Sequence, residues 1–158
     1  MNQSVTAIRA SYAALSRDSD ALVRTFYDTL FSNHPSMRMM FPADMSRQRE
    51  HLAAALAMLI RNLDSFDALR PSLMDLGARH VAFGVVPEHY PAVRDAMLGA
   101  IEACSRPPLT PEVREAWLQL ISRVCSVMLQ GAATAALAQA QDMYPLRGGQ
   151  PRGSSRPG

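Results

Sequence analysis

The chain has 158 residues, 48% of them hydrophobic and 19% charged, which is typical of one soluble domain with a substantial core. No apolar run reaches the roughly 20 residues of a membrane span, and no basic start followed by an apolar block marks a signal peptide, so we expect a cytoplasmic protein without a membrane partner. Three of the 16 basic residues behind the net charge of +2 lie in the last twelve positions, so the body lacks a basic excess and we expect no nucleic-acid partner.

The first third of the chain shows hydrophobic residues every three or four positions, which predicts helices. One helix is predicted from about residue 3 to 16, and a second follows a polar capping stretch at residues 18–20 and stops near residue 33. Tyr27 places a phenolic hydroxyl in the middle of the apolar face of the second helix. Because a buried phenol needs a hydrogen-bond partner, Tyr27 is a candidate functional residue.

A short helix and a corner that contains Phe41 precede the third long helix, which is predicted over about residues 47–63. The apolar stripe of this helix opens with a polar side chain, Gln48, and continues one turn later with Leu52. His51 lies on the flank of the stripe. A second hydrogen-bonding group therefore lies on an otherwise apolar helix face.

The next predicted helix carries a histidine on its apolar face. Residues 64–70 are expected to connect, and Pro71 to open a helix in which Leu73, Leu76 and His80 share one face. A buried histidine satisfied by a backbone carbonyl is the simpler interpretation of a lone imidazole. The alternative is an imidazole presented to a metal from a rigid helix, with its other nitrogen fixed by neighbouring groups.

The segment after the histidine supplies further apolar and aromatic groups. Val85 adds apolar bulk, and Pro87 is predicted to open the next helix at its first position. Tyr90 lies in the first turn of that helix, where we expect it to face back toward His80. Val93 lies on the inward face of the same helix.

The last predicted helix starts at a strong signal, a threonine cap followed by proline at residues 110–111, and runs to about residue 141 with Trp117 directed inward. We expect a folded domain over residues 1–144 and a disordered Gly/Pro/Arg tail over residues 145–158. No segment alternates with period two for long, so the chain is predicted to be all-α, with six to eight helices.

These features together predict an apolar slot with one strong ligand, His80, on one wall. Tyr27 and Gln48 supply two polar groups on the other wall, and Phe41 lies at the corner between their helices. A flat iron macrocycle needs one imidazole, apolar walls and selective polar groups on its open side. The combination therefore favours the metal-binding interpretation of the histidine.

The chain contains a set of short motifs: Phe26-Tyr27-Asp28, Met40-Phe41-Pro42, Asp44-Met45 with Gln48, Arg79-His80, Gly84-Val85, Pro87 and His89-Tyr90-Pro91. Through these motifs it resembles a known family, the bacterial single-domain haemoglobins, which are similar to the haem domain of flavohaemoglobins. The resemblance covers about residues 5–141 and implies the globin fold around a pocket for b-type haem, iron protoporphyrin IX. No Cys-x-x-Cys-His motif for covalent attachment is present.

The resemblance implies a role for individual residues. His80 resembles the proximal iron ligand, and Phe41 the corner phenylalanine that packs on the haem face. Tyr27 and Gln48 look like the distal pair that hydrogen-bonds O2. The other residues implied in haem binding are Leu52, Leu76, Val85, Tyr90, Val93 and Trp117 around the pocket, with Arg79 and His51 as candidates for the propionates.

The chain departs from the flavohaemoglobin pattern in two places. It ends where a flavin and nicotinamide reductase would begin, so we expect a separate reductase as electron donor. That family also has a glutamate on its last helix that supports the proximal histidine, whereas here nothing acidic occurs between Glu115 and Asp142. We expect His80 to hydrogen-bond the Leu76 carbonyl and the Tyr90 hydroxyl instead. We also expect that a glutamate introduced at Thr134 or at a neighbouring position would restore the missing anion.

The function implied by the resemblance is reversible O2 binding, together with nitric oxide and oxygen chemistry. A haem-based gas or redox sensor is the alternative, because it would use the same pocket. Dioxygenase activity is an open expectation, since it requires electrons from elsewhere.

Overall fold

Six α-helices account for most of the computed structural model, which describes residues 2–143. No strand occurs within that range, so the all-α prediction is confirmed. The predicted tail at residues 145–158 lies outside the described residues. The helices are α1 (Gln3–Leu15), α2 (Ser19–Asn33), α3 (Ser46–Arg61), α4 (Phe66–Ala82), α5 (His89–Cys104) and α6 (Pro111–Met143), with short 3-10 turns at Ser16–Asp18, Pro35–Met40 and Leu63–Ser65.

Side-chain caps begin several of these helices where the sequence predicts them. The Asp18 carboxylate accepts a hydrogen bond from the Ala21 N–H at 3.0 Å, which caps α2. The Thr110 hydroxyl accepts one from the Val113 N–H at 3.3 Å, immediately before Pro111 opens α6. Such caps satisfy N–H groups that have no partner inside the helix, and this explains why these starts could be read from the sequence.

The core lies where α2, α5 and α6 meet. Among the most deeply buried side chains are Leu22 and Leu30 of α2, Ile101 of α5 and Trp117 of α6. Each side chain of this size contributes about 1.5–3 kcal/mol when it is fully buried. Helix α1 packs across α6, and the Trp117 indole N–H donates a hydrogen bond to the Ser11 hydroxyl of α1 at 3.0 Å.

Helix α4 begins five residues earlier than predicted, so that Pro71 lies inside it rather than at its start. Proline inside a helix removes one backbone hydrogen bond, and tertiary contacts of the first turn offset that cost. The Phe66 ring is buried beneath the Arg123 guanidinium of α6, 3.8 Å from its centroid. Asp67 forms an ion pair with the same arginine at 3.2 Å. These contacts with α6 hold the turn that precedes the proline.

Helix α5 begins at His89, two residues later than predicted, because Pro87 and Glu88 form a turn. Gly84 supplies the predicted turn with φ of +84°, a conformation that other residues adopt only with strain. The His89 imidazole closes the segment by accepting a hydrogen bond from the Val86 N–H at 3.0 Å. The chain therefore turns sharply after α4 before it enters α5.

Helix α3 packs along α2 and, more narrowly, against α1. No extended contact joins α3 to α4, although both helices are fully described. Leu52 and Leu56 on α3 are only half-buried, and they pack at the edge of the core. No extended contact joins the inner faces of α3 and α4, and we call the region between these two helices the α3–α4 slot.

Helix α6 is long and apolar enough to cross a membrane, with mean hydropathy of 1.4 in its most apolar 18-residue window, and 22% of that window is buried. It is the only such helix within residues 2–143. Core helices of soluble proteins pass the same test, and Trp117, Leu120 and Val127 place part of α6 in the core.

Candidate functional site

The wall formed by α2 and α3 contains a hydrogen bond between the two polar residues that the sequence singles out. The Gln48 side-chain amide donates to the Tyr27 hydroxyl oxygen at 3.2 Å. Tyr27 is 6% exposed, and Gln48 is half-buried. Since the phenolic oxygen accepts this bond, the phenolic hydrogen remains free to donate to a third group. The expectation that Tyr27 needs and finds a partner is confirmed.

Burial raises the pKa of the Tyr27 hydroxyl, and the hydrogen bond from Gln48 lowers it only in part. The phenol is therefore protonated at neutral pH and can act as a donor. A donor held on an apolar wall is suited to a small ligand that carries partial negative charge.

Aromatic rings fix the position of the Tyr27 side chain. Phe26 and Phe41 contact its ring edge to face, with centroids 4.8 Å and 5.6 Å away, and Phe31 stacks on it at 5.8 Å. Phe31 and Phe41 also contact each other at 5.3 Å. Pairs of this geometry contribute about 0.5–1.5 kcal/mol beyond simple burial. The predicted corner phenylalanine thus lies beside the predicted polar pair.

Arg38 holds this corner and was missed from the sequence. Its guanidinium donates to the carbonyls of Phe41 at 3.2 Å, Pro42 at 2.9 Å and Ala43 at 3.1 Å. It also lies 5.3 Å above the Phe31 ring. A single arginine inside an otherwise apolar stretch was the available signal, because one fork of donors can satisfy several turn carbonyls at once.

The opposite wall carries His80 near the end of α4. The His80 Nδ1 lies 2.6 Å from the Leu76 carbonyl oxygen one turn earlier. Because a carbonyl can only accept, Nδ1 carries a proton, and in the neutral imidazole Nε2 then keeps a free lone pair. The ring is half-buried. The expected hydrogen bond to Leu76 is confirmed, and the imidazole is oriented by the backbone of its own helix.

The expected hydrogen bond between Tyr90 and His80 is wrong. Tyr90 is 6% exposed, and its hydroxyl has no hydrogen-bond partner among the described residues. Burial raises the pKa of this hydroxyl, and the nearby Cys125 thiol raises it further. Tyr90 instead lines a cavity of about 220 Å³ together with Arg94 of α5 and Cys125 of α6.

Thr134, where a glutamate was expected to restore the anion near His80, does not fit that role. Its side chain is exposed, and its hydroxyl donates to the Gln130 carbonyl of its own helix at 3.1 Å. The buried position of α6 that lies nearest to Thr134 in the sequence is Gly131, which faces the backbone of α4. A carboxylate at position 134 would be hydrated rather than directed to the imidazole.

The remaining predicted residues differ in how deeply they are buried. Arg79 and His51 are exposed, and Arg79 forms an ion pair with Asp75 at 3.3 Å. Trp117 lies in the contact between α1 and α6, and its indole N–H donates to Ser11 of α1. Four more of these residues are half-buried: Leu52, Leu76, Val85 and Val93.

The sequence profile of the family described as Globin matches residues 24–128. The chain belongs to the globin family. Every candidate site residue from Tyr27 to Trp117 lies within the matched range. The globin fold and the resemblance to bacterial haemoglobins, both predicted from the sequence, are therefore confirmed.

Similar proteins refine this placement. The chain is 30% identical over 149 residues to a flavohemoprotein of Deinococcus radiodurans, covering 92% of this chain and 35% of that protein. The chain thus spans about a third of the length of that relative.

Two solved structures share the fold. An engineered carbene transferase from Rhodothermus marinus, provisionally classed as a nitric oxide dioxygenase, superposes with a TM-score of 0.79 at 28% identity, covering 89% of this globin and 98% of that chain. A bacterial globin from Campylobacter jejuni superposes with a TM-score of 0.75 at 22% identity, over 86% of this chain and 99% of the other. The second likeness concerns the fold alone.

Proposed function

We propose that this globin binds b-type haem in the α3–α4 slot, with His80 as the protein ligand of the iron. The observation that carries the proposal is the His80 imidazole. Its Nδ1 proton is engaged by the Leu76 carbonyl at 2.6 Å, which leaves Nε2 free to bind a metal. Half-buried apolar side chains, among them Phe41 and Leu52, fit the faces of a flat macrocycle.

Haem would supply an iron centre that binds diatomic gases when reduced. The contribution of the chain on the opposite wall is the Tyr27 hydrogen, which the Gln48 contact leaves free to donate. In an apolar pocket such a donor stabilises a ligand with partial negative charge by about 1–3 kcal/mol. The three rings around Tyr27 limit its motion, so little conformational entropy is lost when it donates.

We further propose that the physiological chemistry is O2 binding and its reaction with nitric oxide, supported by a separate reductase in the cytoplasm. The similarity to flavohemoproteins and to the Rhodothermus marinus protein supports this part of the proposal. The polar pair Tyr27 and Gln48 also supports it, because O2 benefits from a hydrogen-bond donor more than an apolar ligand does.

The first test is a titration of the purified protein with haem, followed by absorption spectroscopy. We expect an intense Soret band that saturates at equimolar haem. His80→Ala should weaken haem binding by more than roughly 100-fold, since loss of a group that merely supports a metal ligand costs 10–100-fold. The exposed His34 at the end of α2 provides the control, and His34→Ala should bind as the parent does. A His80→Ala protein with the parent's spectrum and affinity would show that another residue is the ligand.

The second test measures nitric oxide consumption in air by the haem-loaded protein, with a flavin reductase and reduced nicotinamide. We expect consumption that requires O2 and yields nitrate, and that is lost in His80→Ala. If the loaded protein binds O2 but consumes no nitric oxide, haem binding stands and the reaction part of the proposal fails.

A further inference from the structure

Two glycines allow the backbone of α4 to lie directly against the backbone of α6. A Cβ atom on Gly77 of α4 would lie 1.9 Å from the Met128 carbonyl oxygen of α6. A Cβ atom on Gly131 of α6 would lie 1.9 Å from the Met74 carbonyl oxygen of α4. Each helix thus contributes a glycine that faces a carbonyl of the other. We call these two contacts the glycine clamp.

The clamp fixes more than the separation of the two helices. Its two contacts lie three residues apart on each helix, between positions 74 and 77 on α4 and between positions 128 and 131 on α6. Three residues of α-helix rise about 4.5 Å, so two spaced contacts resist both sliding and tilting of α4. No other pair of helices within residues 2–143 packs as extensively as α4 and α6.

His80 lies three residues beyond Gly77, less than one turn along α4. The carbonyl that holds its imidazole belongs to Leu76, the residue immediately before the clamp glycine. The imidazole is therefore tied to the same turn of backbone that abuts Met128. Any displacement of that turn away from α6 would carry the imidazole with it.

We propose that Gly77 and Gly131 are positioning residues that set where His80 presents its free nitrogen. This inference rests on the proposed haem function. It says that a contact between two backbones, rather than a network of side chains, sets the position of the iron ligand His80. A methyl group at either glycine must force the helices apart, because the atoms it would meet are backbone atoms that cannot rotate away.

The test compares Gly77→Ala and Gly131→Ala with a matched control, Gly99→Ala in α5, where an added Cβ would meet nothing within 4 Å. Circular dichroism should show helical, folded protein in all three. Both clamp variants should release haem roughly 10- to 100-fold faster, the range expected when a group that orients a metal ligand is lost. They should also shift the iron–histidine stretching frequency of the reduced protein. Gly99→Ala should match the parent in both measurements.

A detached ligand separates positioning from general damage. In His80→Gly, free imidazole can occupy the place of the side chain without a bond to α4. Adding Gly77→Ala to this background should then leave the iron–imidazole frequency unchanged, because the clamp acts only through the helix. A shift of equal size with the detached ligand would overturn the proposal.

Other outcomes also decide the matter. Folded clamp variants with the parent's frequency and haem release rate would overturn the proposal. Failure of both variants to fold would overturn it as well, because it would show a requirement for the fold rather than for the histidine. If the parent binds no haem, the proposed function fails, and the clamp is tested in the haem-free protein. There, both alanine variants should alter the NMR signals of the His80 ring C–H protons, because the ring moves with α4 relative to α6, whereas Gly99→Ala should leave them unchanged.

Discussion

The two walls of the α3–α4 slot are built in different ways. On the wall formed by α2 and α3, side chains hold side chains: Gln48 bonds Tyr27, and three phenylalanines enclose its ring. On the α4 wall the imidazole of His80 is held by a backbone carbonyl, and the adjoining turn of α4 lies in backbone contact with α6. The residue types on the first wall determine which ligand it can hydrogen-bond. On the second wall, two glycines without side chains determine where the imidazole lies.

Tyr27→Phe is the change on the first wall with the largest expected effect. It removes the free donor but keeps the aromatic packing, so it should cost about 1.5–3 kcal/mol of ligand stabilisation. That corresponds to roughly 10- to 150-fold faster O2 dissociation. Stopped-flow measurement on haem-loaded protein tests it, with Tyr12→Phe, in a half-buried tyrosine of α1, as the control. Gln48→Leu should have a smaller effect, and equal rates in the parent and both slot variants would refute the donor role.

Tyr90→Phe tests a second buried tyrosine, in α5, and should change the free energy of unfolding in the opposite direction to Tyr27→Phe. The Tyr90 hydroxyl is buried without a partner in the described part of the chain, and such a group costs about 1–3 kcal/mol. Its removal should therefore raise the free energy of unfolding by about 1 kcal/mol, measured by urea denaturation. Tyr27→Phe, which breaks a bond, should lower it. A loss of stability in Tyr90→Phe would mean that its hydroxyl has a partner such as a bound water.

Stability should also fall at alkaline pH. Burial raises the pKa of Tyr90 above its usual 10.0 and that of Cys125 above its usual 9.0. A group with a raised pKa binds its proton more tightly in the folded state, so its contribution is complete below the unfolded pKa and is lost as the pH rises through the folded value. Denaturation midpoints should thus be level to about pH 9 and decline above it, less steeply in Cys125→Ser. An equal decline in that variant would assign the loss to other groups.

Thr134→Glu has the smallest expected effect and sharpens the contrast between the walls. Because Thr134 is exposed on α6, the new carboxylate should be hydrated and leave the iron–histidine frequency and the reduction potential unchanged. Resonance Raman spectroscopy and a redox titration measure these two quantities. A stiffer iron–histidine bond with a lower potential would show that position 134 reaches the imidazole after all.

The side-chain wall could be predicted from the sequence to a large extent. A tyrosine and a glutamine on apolar helix faces, with a phenylalanine at the corner between them, are visible as breaks in hydrophobic periodicity. The structure joins them by contacts. Arg38 stands out in the sequence as a single arginine in an apolar stretch, but its partners are carbonyls of a turn, and the sequence does not show which carbonyls the turn brings together.

The α4 wall could be predicted from the sequence only in small part. Pro71 predicts a helix start, whereas α4 begins at Phe66, because the contact between Phe66 and Arg123 that extends the helix joins residues 57 positions apart. Gly77 and Gly131 look like ordinary helix interruptions in the sequence, because a glycine carries no sign of what it approaches. The surroundings of Tyr90 could not be predicted either, because it lines a cavity with Cys125 of α6, which lies 35 positions further along the chain.

The glycine clamp also limits which substitutions this protein can accept during evolution. Gln48 and Tyr27 meet through side chains, so a substitution at one can be compensated by another side chain at its partner. At Gly77 and Gly131 the obstacle is a carbonyl of the main chain, which every amino acid carries. No second substitution can remove it. Descendants that retain the close approach of α4 and α6 must therefore keep both glycines, and one that loses either must find a new distance between the helices.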